Sequence, residues 1–159
     1  MLDEDDAFPN DPTQIGDSDN DGYGDLASGE QPDACPGAAG TSTLDRFGCP
    51  DSDGDGQSDL NDPWPVDGVV WSDSDGDGYA DQSGSTVSDD CPNEAGTSSH
   101  SSARGCADRD GDGWADVEDD FPDLATQQVD SDGDGYGDNA NGTNGETFPQ
   151  DENRWVDTD

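Results

Sequence analysis

Lysine is missing from this 159-residue chain, and basic residues of any kind are scarce. Four arginines and one histidine stand against 42 acids, a formal net charge of −38. Nucleic acids and anionic membranes are bound through basic patches, so this charge sign excludes both as direct partners. Long apolar runs are missing as well: none approaches the roughly 18 residues a membrane helix requires, and no signal peptide is visible after Met1. With only 26% hydrophobic residues, an ordinary core cannot offset the conformational entropy lost on folding. The chain must stay disordered or rest on metal ions and disulfides. Helical periodicity and strand alternation are also absent, while Gly, Pro, Asn, Asp and Ser are abundant throughout. The predicted fold class has little regular secondary structure.

What is present is aspartate, set in a repeat. The pattern D-x-D-x-D-G-x-x-D occurs five times, at residues 17–25, 51–59, 73–81, 108–116 and 130–138. These are loops 1 to 5. Their starts are 34, 22, 35 and 22 residues apart, so the larger unit spans 56 to 57 residues. Between the loops an acid, any residue, an anchor and a proline recur six times, with Phe8, Cys35, Trp64, Cys91, Phe121 and Phe148 as anchors. Nine residues separate Phe8, Trp64, Phe121 and Phe148 from the next loop start, against 16 or 17 after Cys35 and Cys91. Each longer connector ends in a second cysteine, Cys49 or Cys106. Four cysteines allow three pairings. The local pairs Cys35–Cys49 and Cys91–Cys106 fit the repeat, each closing a loop worth about 3 kcal/mol and implying an oxidising compartment. Loops 1, 3 and 5 carry five extra small or polar residues before the next anchor, which read as surface bulges.

Calcium is a hard cation that takes six to eight oxygens. Aspartates at positions one, three and five put three short carboxylates inside one turn: Asp17, Asp19 and Asp21; Asp51, Asp53 and Asp55; Asp73, Asp75 and Asp77; Asp108, Asp110 and Asp112; Asp130, Asp132 and Asp134. Position six is always glycine, permitting the turn. The position-seven carbonyl is expected to point inward, from Tyr23, Gln57, Tyr79, Trp114 and Tyr136. Position nine is Asp25, Asp59, Asp81, Asp116 or Asp138. The acid two residues before the anchor, which is Asp33, Asp62, Asp89, Asp119 or Glu146, can complete the shell. Without histidine or cysteine in the loops, zinc and copper are disfavoured, and magnesium's strict octahedron makes it a poor competitor. An EF-hand is excluded because loops 1, 3 and 5 lack the twelfth-position acid and no amphipathic helices flank any loop.

The run Gly48-Cys-Pro-Asp-Ser-Asp-Gly-Asp-Gly-Gln-Ser-Asp59-Leu-Asn-Asp62, in phase with the other loops, resembles the thrombospondin type 3 repeat, including versions found in bacterial and archaeal surface proteins. The resemblance covers essentially the whole chain. It implies an elongated array in which irregular backbone wraps calcium ions, about two per motif and on the order of ten in all. Ten ions would bring +20 and leave about −18 of the −38. The inserted residues and the aromatic anchors depart from the vertebrate pattern and put a second ion in loops 1, 3 and 5 in question.

Residues 1–159 are thus expected to form one continuous array with partial loops at both ends. Asp3 and Asp6 take the ninth and pre-anchor positions of one, and Asp157 and Asp159 open another. Three residues would join the ends into one loop, predicting a piece of a longer repetitive protein with a period near 162 residues, 159 plus those three. The position-seven rings are expected to pack on neighbouring anchors. Asn141-Gly-Thr143 is a glycosylation sequon on a bulge. His100 has no acid partner placed by the repeat, and no apolar pocket is in view to lift one carboxylate's pKa for acid–base work, so an enzyme is not expected. The expected function is an extracellular or cell-surface stalk or fibre stiffened by calcium, self-associating or continuous with further repeats. A calcium-dependent adhesin is the alternative, and a disordered calcium buffer or mineral nucleator a third possibility.

Overall fold

A computed structural model describes residues 6–100 and 102–156. The calls on Asp3, Asp157 and Asp159 lie outside the described residues. Among those described there is no helix and no extended strand. Only three isolated parallel bridges occur, Gly24–Pro32, Ala80–Ser88 and Gly137–Gly145. Contacts divide the chain into two compact units, Met1–Ser72 with loops 1 and 2, and Asp73–Asp159 with loops 3 to 5.

Each loop is wound by its own aspartates. The position-one carboxylate accepts the amide of position four at 2.7–2.8 Å with one oxygen and that of position six at 2.9–3.0 Å with the other. The position-five carboxylate accepts the position-seven amide at 2.8–2.9 Å. Two residues per loop are left-handed. Position six has φ between 90° and 99° in all five glycines, and position four is Gly54, Gly76, Gly111 or Gly133 near 80°, or Asn20 at 64°. Asparagine is the side chain that best tolerates that region, so it can stand in for glycine in loop 1.

The anchor–proline step starts a turn every time. The carbonyls of Phe8, Cys35, Trp64, Cys91, Phe121 and Phe148 each accept an amide from two or three residues on, with proline pre-set for the second turn position. Loop and anchor are then joined through the position-eight carbonyl. Gly24, Ser58, Ala80, Ala115 and Gly137 accept the amides of Asp33, Asp62, Asp89, Asp119 and Glu146 at 2.8–3.0 Å. In loops 2 and 4 this bond closes one helix-like turn. In loops 1, 3 and 5 it closes over the five extra residues, and the three bridges sit there. The insertion is extruded, and the pre-anchor acid keeps its place.

Both local disulfides form, Cys35–Cys49 and Cys91–Cys106, with Cα–Cα distances of 5.0 and 5.1 Å. Each braces a connector whose centre is a fully buried serine. Ser42 bonds the carbonyl of Arg46 and takes the amide of Cys49, and Ser98 does the same with Ala103 and Cys106. Each connector reaches both ways. Gly40 and Gly96 donate to Asp21 and Asp77 of the preceding loop at 3.0 and 2.9 Å. Residues 43–44 and 99–100 donate to the Gly56 and Gly113 carbonyls of the following loop.

Elsewhere the bulges are plugged from within. Gln14, 2% exposed, accepts the Leu26 amide and donates to the Leu26 and Glu30 carbonyls. Gln127, 0% exposed, does the same with Asn139 and Thr143. The interior is therefore mostly polar. Buried apolar residues are Cys49, Val70, Ala80, Ala103, Cys106 and Ala115, outnumbered by buried Gln, Ser, Asp and Glu.

Candidate metal centre

In each loop, positions one, three and five bring three carboxylate oxygens within 4.8 Å of one another. Three negative groups this close repel strongly unless a cation sits among them. A second observation comes from the pre-anchor acids. Asp33, Asp62, Asp89, Asp119 and Glu146 are between 1% and 9% exposed, although acids are almost never fully buried unless paired. Burial is the first cause raising the pKa of each above the ordinary carboxylate range. An anchor amide at 2.7 Å pulls the four aspartates back down, and the negative field of the same loop's aspartates adds to the rise in all five acids. Asp55 is raised in the same way, by burial first. Burial thus lifts these carboxylates in a setting of polar neighbours.

Many of these oxygens have nothing to bond. Unpartnered buried oxygens belong to Asp19 and Asp33 at loop 1, Asp53 and Asp55 at loop 2, Asp75 and Asp89 at loop 3, Asp110 at loop 4, and Asp132, Asp134 and both oxygens of Glu146 at loop 5. Every loop contributes, whereas folded proteins orphan few buried polar atoms and unpaired buried charge is costly. Asp45 shows what a self-sufficient carboxylate looks like in the same chain. Burial pushes it up, but the Ser58 hydroxyl and amide and the Asn61 side chain outweigh this and hold it below its usual range. Every loop's triplet or pre-anchor acid keeps at least one buried oxygen that no such donor reaches. An oxygen-only donor set with orphaned lone pairs suits a hard divalent cation.

Position nine has a closing role. Asp25, Asp59 and Asp138 accept the position-two serine amide with one oxygen and its hydroxyl with the other, as does Asp81. Asp116 accepts the Arg109 amide at 2.8 Å. The close triplets contain positions one, three and five only. The position-seven carbonyls accept no backbone hydrogen bond among the described residues. Asp6 repeats the pre-anchor geometry, accepting the Phe8 amide at 2.8 Å.

One expectation needs correction for three of the four position-seven rings, which stack on connector residues: Tyr23 on Phe47 at 5.8 Å, Trp114 on His100 at 4.0 Å and Tyr136 on Trp155 at 5.4 Å. No repeat position supplies an acid to His100, but Glu118, outside the repeat pattern, lies 3.8 Å away, with Ser102 bonded to both. Asn141 is exposed on its bulge. Sequence reasoning also passed over Gln14, Gln127, Asp45 and the buried serines. A usable signal existed for the glutamines, since a Thr-Gln pair ends three residues before loops 1 and 5 alike.

Among the described residues no helix is long and apolar enough to cross a membrane. The two disulfides fit an oxidising environment such as the cell exterior. No protein-family model matches this chain, and no curated protein is similar enough to be matched.

Proposed function

We propose that this chain is a calcium-binding structural array of the thrombospondin type 3 kind, working outside the cell as a stalk or fibre stiffened by its ions. The observation that carries this reading is the recurrence, in all five loops, of a carboxylate triplet beside a buried pre-anchor acid, with orphaned oxygens in every loop. Positions one, three and five with the position-seven carbonyl would hold one ion. The pre-anchor acid would share a second with positions three and five, about two ions per motif and on the order of ten in total. The position-eight bond supports a second ion in the inserted loops, because it returns Asp33, Asp89 and Glu146 to the register of Asp62 and Asp119. Bound calcium would replace mutual repulsion with coordination and supply the stability that a core supplies elsewhere. No step of this role calls for catalysis.

Calorimetric titration of the calcium-stripped chain tests the reading directly. Uptake of about ten ions with Kd values of about 10⁻⁴–10⁻³ M, together with calcium-dependent resistance to proteolysis, is expected. A chain equally protected in chelator and in millimolar calcium would remove it. The adhesin reading draws on the exposed bulges at residues 26–30, 82–86 and 139–143. It would be favoured by calcium-dependent capture of a receptor or glycan by the monomer.

A further inference from the structure

Loop 4 departs from the other four at position two. Where they carry Ser18, Ser52, Ser74 and Ser131 at position two, it carries Arg109. The serines close their loops with an amide and a hydroxyl on the position-nine carboxylate. In loop 4 the Arg109 amide keeps its bond to Asp116, and the guanidinium replaces the hydroxyl, 3.3 Å from the second Asp116 oxygen. The same guanidinium donates to Asp123 beyond the anchor at 3.1 Å. A permanent positive charge thus ties two acids together inside the loop's own negative field.

The surroundings of loop 4 point the same way. Gln128 donates its side-chain amide to the free oxygen of Asp112. Trp114 is stacked on His100 with an interplanar angle of 17°. The apolar cluster of Ala103, Cys106 and Ala115, with Cys91 against it, backs this loop. Of the orphaned oxygens only one, on Asp110, belongs to loop 4, against four at loop 5.

We propose that Arg109 is a resident counter-ion that keeps loop 4 closed without metal and makes it the last of the five loops to fill with calcium. This rests on the calcium reading above and adds an order of filling to it. A guanidinium cannot be deprotonated to make way for an ion. A unit positive charge on the carboxylate that closes the loop opposes an incoming divalent ion and, in a solvated setting, lowers its affinity about three- to tenfold. The same charge lowers the repulsion that opens the other loops when calcium is withdrawn.

Two measurements on the full chain test this. Hydrogen exchange in EDTA should leave residues 108–116 protected when 17–25 and 130–138 have lost protection. Nuclear magnetic resonance titration of the position-six amides (Gly22, Gly56, Gly78, Gly113 and Gly135) should give the highest calcium midpoint at Gly113. Arg109→Ser should lower that midpoint about three- to tenfold and abolish the protection in EDTA. Arg109→Lys, which keeps the charge, should hold the midpoint high. A midpoint unmoved or raised in Arg109→Ser, or loop 4 exchanging as fast as loop 5 in EDTA, would overturn the proposal. Calcium uptake with equal midpoints in all five loops sinks this inference alone, whereas no uptake anywhere sinks the calcium reading, and the EDTA exchange of Arg109→Ser then decides the fate of the latch.

Discussion

Loops 4 and 5 have the same motif, lie 22 residues apart and belong to the same compact unit. They meet the same electrostatic problem in opposite ways. Loop 4 is braced by protein groups: an arginine bridge, a glutamine on Asp112 and a disulfide-backed cluster of alanines. Loop 5 leaves one oxygen each of Asp132 and Asp134, and both oxygens of Glu146, with no donor, and Glu146 is 1% exposed. Loop 4 is therefore built to persist, and loop 5 to depend on what it binds. Repeat proteins tolerate such unequal neighbours because each repeat is coupled mainly to the next.

Withdrawing calcium should widen this difference most. An ion present at a hundred times its Kd contributes about 2.7 kcal/mol, so losing one ion should speed local amide exchange in residues 130–138 about a hundredfold. Exchange measured with and without EDTA checks this, and uniform acceleration across both loops would erase the distinction. Next in size is Gly96→Ala. A Cβ there would lie 2.0 Å from the Cys106 carbonyl oxygen, a backbone atom held by the disulfide. The connector would have to open, losing the Gly96 bond to Asp77 and loosening loops 3 and 4 by about 3 kcal/mol or more. Loop 5 should be spared. Denaturant midpoints in saturating calcium, read by exchange at each loop, separate the two effects.

A third contrast sets an orphaned acid against a satisfied one. Glu146→Gln keeps the shape but removes a buried charge, so calcium affinity at loop 5 should fall at least about tenfold while the empty loop becomes easier to close. Asp45→Asn should leave calcium uptake unchanged and cost about 1–2 kcal/mol through its lost bonds to Ser58 and Asn61. Calorimetry for the first and thermal melting in calcium for the second give readouts that do not overlap. Equal loss of calcium from both variants would mean that orphaned oxygens do not mark the ion sites.

What could be read from the chain beforehand follows the range of the interactions. The carboxylate triplets were legible because positions one, three and five act within one turn, and the position-six glycine carries the backbone requirement with them. The disulfide pairs were legible because connector length and cysteine position change together. The bulge plugs were hidden, since Gln14 and Gln127 act on backbone 12 to 16 residues away. The ring partners Phe47, His100 and Trp155 were missed for the same reason: they come from connectors with no pattern of their own. Position nine was expected among the ligands from its invariance across the loops. The same invariance also serves loop closure against the position-two serine, and spacing alone does not distinguish the two roles.

The smallest expected effect concerns the plugs, and it turns on an internal swap. Before loops 1 and 5 the plug is glutamine and position eight is glycine, Gly24 or Gly137; at the same register around loop 3 stand Val70 and Ala80, both buried. The glutamine requires that glycine: a Cβ on Gly137 would lie 2.0 Å from the Gln127 side-chain oxygen, and one on Gly24 2.2 Å from that of Gln14. Gln127→Val alone should cost about 1–3 kcal/mol, because the Asn139 amide and the Asn139 and Thr143 carbonyls lose their partner. Gly137→Ala alone should cost more, by overpacking. Made together, the two changes remove the glutamine that a Cβ at position 137 would strike, so the double variant should be more stable than the sum of the single losses by about 1 kcal/mol or more. Melting in saturating calcium measures all four corners of that cycle. Strict additivity would show that glutamine and glycine at loop 5 are not a matched pair, and that its bulge is held by calcium alone.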